Sequence, residues 1–497
     1  MRLLKPTLLC ISVALMLQGC ADQQTKTADA WTQKHQTATP IKHVVVIFQE
    51  NISFDHYFGT YPHAKNPPGE PAFYAKANTP AVNGLTHELL AENPNRYNPF
   101  RMARNQEPCD QDHGYEAEQD AYNGGLVNQF VSATGNKSSR QCQRQVMGYY
   151  DGNTVTALWN YAQNFAMSDN SYGTIFGPST PGALNLVAGR TSTALPANTP
   201  GIKDGNLVSD IDPRFDDCSY KNVEKAKGSE LATSVINGLI YLTGKNIGNL
   251  MNARQVTWGW FEGGFDPTSV HDGVARCGAK STNVFGGVKH DYIPHHEPFQ
   301  YFKSTANPHH LAPSSIAMVG STDQANHQYS LKTFWKAADN GHLPAVSFLK
   351  AKGYEDGHAG YSNPLDEQRF LVKTINHLEK LPTWKNTAII ISYDDSDGYY
   401  DHVMPPKNFF AKQTGRHGFG PRLPLLVISP YARQNFVDHT LTDQSSIIRF
   451  IEDNWHLGRL KESMDAHAGV LNHMFDFKDG PKARPIFLNA KTGEVQS

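Results

Sequence analysis

The chain has 497 residues, of which 39% are hydrophobic and 19% are charged, so it can bury a large core and is not a disordered protein. Its formal net charge of -2 provides no overall field that would attract nucleic acid or anionic lipid, and we expect no nucleic-acid partner. Any binding of an anion must therefore come from a local site.

The first twenty residues, MRLLKPTLLCISVALMLQGC, have the features of a bacterial export signal. Two cations precede an apolar stretch that is short for a bilayer span, and the ending LQGC resembles a lipobox. On this interpretation Cys20 carries a lipid anchor to the membrane; ordinary signal cleavage nearby is the alternative. Residues 21–40 are polar and aperiodic, which predicts a flexible tether. We expect an exported protein, either a lipoprotein of the cell envelope (periplasm or outer membrane) or a secreted protein.

Four further cysteines follow this region: Cys109, Cys142, Cys218 and Cys277. An even number in an exported chain predicts two disulfides, and three pairings are possible. The cysteines have no C-x-x-C spacing of the kind that binds zinc through thiolates.

Short apolar runs rich in β-branched and aromatic residues predict buried strands at 43–48, 256–261, 345–350, 387–393 and 423–429. Their continuous apolarity is typical of parallel strands that are covered on both faces. Helical patterns lie between and after these runs, at 153–167, 366–381 and 443–455. This alternation predicts an α/β fold with a mostly parallel central sheet and flanking helices.

The stretch from about 195 to 330 is rich in Gly, Asn, Asp and Pro and has weaker periodicity, which predicts loop-rich insertions or a cap. We expect one domain to extend over residues 41–490 and to include these insertions.

Polar residues follow two of the predicted strands directly. Glu50 and Asn51 come after the first strand, and Asp394 and Asp395 come after the strand at 387–393. In open α/β sheets, ligands bind beyond the carboxyl ends of the strands, so these side chains are candidates for one site. Several carboxylates close together require a cation, and oxygen ligands of this type suit a divalent metal ion. Either pair alone is more typical of turn or capping chemistry.

The segment YGTIFGPSTPGALNLVAG, residues 172–189, contains a rigid Gly-Pro turn before an apolar, helix-competent run from Ala183. Such a turn can expose Ser179 at a helix start, where free N–H groups favour anions. A metal ion makes a serine hydroxyl a better nucleophile. An ordinary helix cap in a Pro-Gly loop is the alternative interpretation.

The chain contains 22 histidines, several of them in loops marked by Gly or Pro: His113, His295, His296, His358 and His402. An imidazole can donate to phosphate oxygens and becomes charged just below neutral pH. Each one alone is more typical of a surface or packing residue. The chain has no H-E-x-x-H, P-loop or G-x-S-x-G motif, which weakens the zinc protease, NTPase and α/β-hydrolase interpretations.

Five segments together resemble a bacterial phosphoesterase family that contains acid phosphatases and phosphatidylcholine-type phospholipases C. They are IKHVVVIFQENISFDHYFGTYP, FGPSTPG, HHEPFQYF, ISYDDSDGYYDHVMPP and RLPLLVISPYARQNFVDHTLTDQSSIIRFIEDNW. The resemblance covers about residues 41 to 460 and implies an alkaline-phosphatase-like sandwich fold.

The resemblance also implies one divalent metal ion of unspecified identity. Its implied ligands are Glu50, Asn51, Ser179, Asp394 and Asp395. Ser179 would also be the nucleophile, and Asp395 would share in catalysis.

Three histidines match the family positions that grip the phosphoryl oxygens and act in catalysis: His113, His296 and His358. His296 is preferred over its neighbour His295 because it directly precedes the Glu-Pro-Phe segment. Asn51 would hold the substrate together with these histidines.

We therefore predict a metal-dependent acid phosphatase that hydrolyses phosphomonoesters through a phosphoserine at Ser179, with an acidic pH optimum. The GPSTPG turn and the absence of twin arginines in the signal favour the acid phosphatase branch. The alternative is a phospholipase C that cleaves the headgroup phosphodiester of phosphatidylcholine-like lipids. The substrate is accordingly a phosphorylated small molecule or lipid. A third interpretation, an inactive envelope-binding lipoprotein, would be indicated by a lost metal ligand, and all five are present.

Overall fold

A computed structural model describes residues 36–222, 238–407 and 418–496. The predicted signal sequence at 1–20, the lipid attachment at Cys20 and most of the tether at 21–40 lie outside the described residues. Within the described residues, no helix combines the length and the apolar character that crossing a bilayer requires.

Eight strands form the central sheet. They are β1 (His43–Gln49), β2 (Ala166–Ser168), β3 (Trp258–Glu262), β4 (Gln328–Ser330), β5 (Val346–Lys350), β6 (Thr387–Tyr393), β7 (Leu425–Ile428) and β8 (Phe436–Asp438). Their order across the sheet is β4-β3-β5-β1-β6-β7-β2-β8. Strand β7 is antiparallel to both of its neighbours, and the other pairs are parallel. The predicted α/β class with a mostly parallel central sheet is confirmed.

Helices flank this sheet. The described α-helices are α1 (Phe54–Phe58), α2 (His87–Ala91), α3 (Tyr115–Tyr122), α4 (Phe130–Ala133), α5 (Arg140–Gln145), α6 (Thr156–Asn164), α7 (Ser179–Ala188), α8 (Asp217–Asn222), α9 (Ile247–Arg254), α10 (Leu331–Asp339), α11 (Pro364–Leu378) and α12 (Ser445–Trp455). Helix α7 packs against α12 and α9, while α6 packs against α11. These two groups of helices bury the apolar residues of the strands.

The region from 195 to 330 is only partly inserted. It contributes β3, β4 and α9 to the central layers, as the apolar run at 256–261 predicts. Three small hairpins of this region lie outside the central sheet: Ile202–Lys203 with Asn206–Leu207, Ser269–His271 with Val274–Arg276, and Lys280–Thr282 with Val288–His290. The inserted parts therefore lie on both sides of β3 in the sequence.

Two disulfides are present, as predicted. They join Cys109 to Cys142 and Cys218 to Cys277, which resolves the three possible pairings. The second disulfide connects α8 to the hairpin after β3 and so fixes part of the inserted region.

The strand register determines where the polar residues meet. Strand β1 lies between β5 and β6, with Ile47 opposite both Leu349 and Ile391, and Gln49 opposite Tyr393. Residues 44–48 of β1 are fully buried, as the continuous apolar run indicates. Because these three parallel strands end at the same level, the residues that follow them share one edge of the sheet.

Candidate active site

The candidate site lies at the carboxyl ends of β5, β1 and β6. Glu50 and Asn51 follow β1, Asp394 and Asp395 follow β6, and Lys350 is the last residue of β5. All five residues are at most 2% exposed. Polar side chains buried so deeply require partners of opposite charge or hydrogen-bonding groups.

Ser179 reaches this edge from the first residue of α7. This helix begins four residues earlier than the predicted run from Ala183, because the turn residues Ser179 to Gly182 already form its first turn. Pro181 is tolerated there because a first-turn residue needs no N–H donor. Gly182 lies close to the backbone of Asp394, so that a β-carbon at position 182 would come within 2.3 Å of the Asp394 carbonyl oxygen. The glycine therefore allows α7 to bring Ser179 against the carboxylates.

Three acceptor oxygens surround the Ser179 hydroxyl. Its Oγ lies 3.0 Å from Glu50 Oε2, 3.2 Å from Asp395 Oδ2 and 3.5 Å from Asn51 Oδ1. A single hydroxyl proton cannot serve three acceptors at once. The site is therefore rich in oxygen lone pairs and poor in hydrogen-bond donors.

Backbone hydrogen bonds fix these ligand oxygens. Asp394 Oδ1 accepts from the backbone N–H of Asn51 at 2.9 Å and from that of Asp395 at 2.8 Å. Asn51 has φ of 51°, a left-handed conformation that asparagine tolerates better than most residues. Asp395 Oδ1 accepts from the backbone N–H of Asp397 at 2.7 Å. Asp394 thus ties the end of β1 to the end of β6 and leaves Asp395 Oδ2 facing Ser179.

The buried carboxylates perturb one another electrostatically. Burial, and then the charge of Asp394, raise the pKa of Glu50 well above its ordinary value. The same two causes raise the pKa of Asp395. For Asp394, burial opposes ionisation, but Lys350 and hydrogen bonds leave its pKa below the ordinary value. The cluster is therefore short of positive charge.

The residues present fit a divalent cation. Carboxylate, amide and hydroxyl oxygens are the donors that hard divalent ions prefer, and such an ion stabilises the ionised carboxylates. Glu50, Asn51, Ser179 and Asp395 supply the converging oxygens, and Asp394 adjoins them through the Asn51 backbone. The structure thus brings together the five residues predicted as ligands, while their role in binding metal stays a prediction.

His113 lies on the Ser179 side of the site. Its Nε2 is 3.4 Å from Asn51 Nδ2, and its Nδ1 faces Gln111 O at 2.9 Å and Asp397 Oδ1 at 3.2 Å. Burial alone would lower the pKa of His113, but Asp395 and Asp397 raise it well above the ordinary value. The surrounding carboxylates therefore favour the protonated imidazole, and Nε2 faces the Asn51 amide.

The other predicted histidines lie nearby. The His358 ring is 5.7 Å from the His113 ring, and His358 Nδ1 bonds to the Ala359 carbonyl at 2.6 Å. His296 Nδ1 is 3.4 Å from Glu50 Oε1, whereas His295 Nδ1 lies 3.5 Å from Asp212 Oδ1. The structure therefore directs His296, and not His295, toward Glu50. Burial and the charge of Lys350 lower the pKa of His296 well below its ordinary value, so it is neutral.

Sequence reasoning missed four buried charged residues at the site: Lys350, Asp356, Asp397 and Glu118. Lys350 shows the same sequence pattern as Glu50, because each is a charged residue at the end of a predicted buried strand. Asp397 stood in the quoted motif DDSDG without a role. Glu118 gave no local signal; it accepts from the Gly177 N–H at 2.9 Å and from the Ser396 hydroxyl at 2.6 Å. It therefore joins the Ser179 turn to the loop after β6.

Gln111 connects His113 to the first disulfide. Its side-chain amide donates to the carbonyls of Cys109 at 2.7 Å and Cys142 at 3.3 Å, and its backbone carbonyl faces His113 Nδ1. Its own backbone N–H donates to Asp397 at 3.3 Å. Gln111 therefore holds the histidine loop against the disulfide.

Gln111→Ala is expected to lower kcat/KM on the order of tenfold to a hundredfold, because His113 loses its fixed orientation. Steady-state kinetics measures the loss, and Gln141→Ala, an exposed change beside the same disulfide, serves as the matched control. If Gln111 acts through His113, its substitution costs little in a His113→Ala background. Equal losses in both backgrounds would contradict this role.

Comparisons with known proteins identify the family to which the chain is similar. A family model described as the phosphoesterase family matches residues 41–458. The non-hemolytic phospholipase C of Burkholderia pseudomallei is 24% identical over 447 residues, which is 84% of this chain and 55% of the relative. Phospholipase C B of Mycobacterium tuberculosis is 22% identical over 468 residues, which is 89% of this chain and 79% of the relative. This chain therefore spans about half the length of the Burkholderia relative.

Among solved structures, this chain is similar to a protein of the alkaline phosphatase superfamily from Vibrio parahaemolyticus. The match covers 86% of this chain and 70% of the Vibrio chain. The TM-score of this match is 0.32 and the sequence identity is 10%.

Proposed function

Because the chain belongs to the phosphoesterase family, we propose that it is a metal-dependent hydrolase of phosphoric esters with Ser179 as its nucleophile. The observation that carries this proposal is the position of Ser179 Oγ, within 3.5 Å of oxygens of Glu50, Asn51 and Asp395. A hydroxyl within such an oxygen cluster can attack a phosphoryl group while a cation held by the cluster offsets its charge.

The reaction begins with Ser179 positioned by α7. Glu50, Asn51, Asp394 and Asp395 would hold a divalent ion, which would supply positive charge that lowers the pKa of the serine hydroxyl and offsets the phosphoryl charge. Ser179 Oγ attacks phosphorus and its proton passes to a carboxylate oxygen, of which Glu50 Oε2 at 3.0 Å is the nearest. The new Oγ–P bond forms as the bond from phosphorus to the alcohol oxygen breaks, and that oxygen takes up a proton from water. Water then hydrolyses the phosphoserine.

The non-bridging phosphoryl oxygens, which lie around phosphorus between the nucleophile and the leaving alcohol, require hydrogen-bond donors. The Asn51 amide and His113 Nε2 face the same space, 3.4 Å apart, next to Ser179. The carboxylates around His113 raise its pKa and so favour its protonated form, and the His358 ring lies 5.7 Å away, so this pair supports binding of an anionic group. His296 contributes from the Glu50 side.

We favour a phosphomonoesterase of the acid phosphatase type. Its support is the position of His113 beside Asn51, because the raised pKa of His113 favours binding of the extra negative charge of a monoester. The names of the curated relatives favour a phospholipase C as the second candidate. The two activities require the same nucleophile and differ in what lies around the leaving alcohol.

Purified protein is expected to hydrolyse a soluble aryl phosphomonoester with a kcat/KM at least about tenfold above that for phosphatidylcholine in mixed micelles. Released phosphate and released phosphocholine measure the two rates, and Ser179→Ala corrects both for contamination. A preference for phosphatidylcholine would replace the phosphatase proposal by the phospholipase C proposal. Activity on neither ester would remove both.

An acidic optimum is expected from two carboxyl groups beside the site. Burial raises the pKa of Asp397 to about 7 and that of Glu118 to about 7. Both groups are neutral in acid and become charged as the pH rises through 7, which adds negative charge that repels an anionic ester. The value of kcat/KM should therefore be highest below pH 7 and fall above it. His113 and His296 do not supply this dependence, because their pKa values are shifted in opposite directions away from the ordinary value.

A pH profile with two substrates tests this expectation. A phosphomonoester changes its own charge near pH 6, whereas a phosphodiester does not. A decline in kcat/KM that both substrates share therefore results from titration of groups in the protein. A maximum above about pH 8 would contradict the expectation.

Export is part of the proposal. The two disulfides support an oxidising compartment, and Cys20 remains the proposed lipid attachment to the envelope membrane. Fractionation of cells that express wild-type protein or Cys20→Ser tests the anchor, since release of the variant alone is expected and equal release would remove it.

A further inference from the structure

Glu50 divides its two carboxylate oxygens between two environments. Oε2 lies 3.0 Å from Ser179 Oγ, on the side where the proposed divalent ion is held. Oε1 faces away from Ser179, forms an ion pair with Lys350 and lies 3.4 Å from His296 Nδ1. The carboxylate therefore bridges a nucleophile side and a lysine side.

The lysine side has the ligands of a second metal site. Glu50, His296 and Asp356 each offer one ligand atom, and these atoms all lie within 4.8 Å of one another. All three residues are buried, and the Glu50 backbone N–H donates to the Asp356 carbonyl at 3.0 Å. Two carboxylates and an imidazole are a common ligand set for a divalent transition metal. Hydrolases of phosphate esters often hold two such ions about 3.5–4 Å apart, bridged by shared ligands.

Lys350 already provides a cation at this position. It is the last residue of β5, it is only 1% exposed, and its ammonium pairs with the Glu50 oxygen that a second ion would share. Its Nζ lies 5.4 Å from the centroid of the Phe48 ring, which is fully buried, so the ammonium itself is in the core. Burial of a charged lysine costs free energy unless an oppositely charged group compensates it.

We propose that Lys350 is a built-in substitute for a second metal ion, so that the centre holds one divalent ion, on the Ser179 side of Glu50. This inference rests on the proposed function, because it presumes that the Ser179 side binds metal. Lys350 is a positioning residue here: it neutralises Glu50 Oε1 and orients Oε2 toward Ser179. Removal of the ammonium should open the pocket formed by Glu50, His296 and Asp356 to a second ion.

Metal counting tests the proposal with Mn²⁺ as the probe. Full-length wild-type protein equilibrated with excess Mn²⁺ and desalted should retain one ion per chain and show the electron paramagnetic resonance spectrum of an isolated ion. Lys350→Ala should retain two ions and show the spectrum of a spin-coupled pair. Lys352→Ala removes an ammonium two residues away that pairs with Asp291, and it should behave as wild type. Lys350→Ala combined with Asp356→Asn should return to one ion.

The outcomes separate the inference from the proposed function. Two coupled ions in wild-type protein would overturn the inference and leave metal dependence intact, as would one ion in a folded Lys350→Ala variant. No retained ion in wild-type protein would instead overturn the proposed metal dependence. Lys350→Gln, which preserves much of the side-chain volume, replaces the alanine variant if circular dichroism shows that the latter is unfolded.

Discussion

Replacement of Ser179 by Ala is expected to lower kcat at least about a thousandfold, because it removes the proposed nucleophile. The change deletes one oxygen from a fully formed helix start and leaves the alanine methyl in the same space, so α7 should persist. Hydrolysis of an aryl phosphomonoester measures the rate. Acid quenching with labelled substrate measures the covalent intermediate, which should be present in wild-type protein and absent from the variant.

Ser347→Ala is the matched control. Ser347 is a fully buried serine in β5 of the same sheet, so its substitution has a comparable packing cost away from the nucleophile. It should retain wild-type turnover and a labelled phosphoenzyme. Wild-type turnover in folded Ser179→Ala protein would remove Ser179 as nucleophile, whatever the fate of the metal.

The central sheet was the part of the fold that local sequence could predict. Buried strands such as 43–49 and 387–393 are continuous apolar runs, and burial on both faces produces that pattern without reference to the rest of the chain. The same pattern does not predict whether a strand is parallel or antiparallel to its neighbours. The strand at 425–428 is equally apolar and is antiparallel to both of its neighbours. Direction depends on how the chain returns to the sheet, which is a property of tertiary structure.

Helix boundaries show the same limit. Asn153 resembles a helix cap in sequence, but α6 begins at Thr156 and the Asn153 side chain instead binds the Asn66 backbone N–H at 2.8 Å. The partner lies 87 residues away, so no local pattern contains it. A polar residue near a helix start has several possible partners, and tertiary contacts choose among them.

The site was predictable where its residues terminate strands and unpredictable where they act across loops. Glu50, Asn51, Asp394 and Asp395 follow parallel neighbours, so the sheet alone brings them together. Ser179 arrives through a turn whose Gly182 marks close approach of backbones. Glu118 and Gln111 reach the site through contacts with Gly177, Ser396 and the disulfide, and side chains of this kind have no periodicity to reveal them.

Asp395→Asn is expected to have the second large effect, on metal binding as well as on rate. Asparagine preserves the shape and the acceptor for the Asp397 N–H but removes a full negative charge from the oxygen cluster. Loss of an outer partner of a metal ligand typically costs tenfold to a hundredfold in affinity, so loss of a ligand's charge should cost at least about a hundredfold. The rate at low metal concentration should fall in parallel. Calorimetric titration with Mn²⁺ and kcat measured over a range of metal concentrations follow the two effects.

The form of the recovery distinguishes a metal ligand from a structural carboxylate. If Asp395 binds the ion, excess Mn²⁺ should restore part of the activity of Asp395→Asn, because the amide oxygen remains a weaker donor. Asp465→Asn alters an equally buried acid beyond the far end of α7, where it accepts from the Leu460 N–H at 2.9 Å, and should leave metal affinity unchanged. Wild-type metal affinity in folded Asp395→Asn would exclude Asp395 as a ligand. Because Ser179 Oγ is only 3.2 Å from Asp395 Oδ2, that result would also separate the nucleophile from the ion and require another activator of the serine.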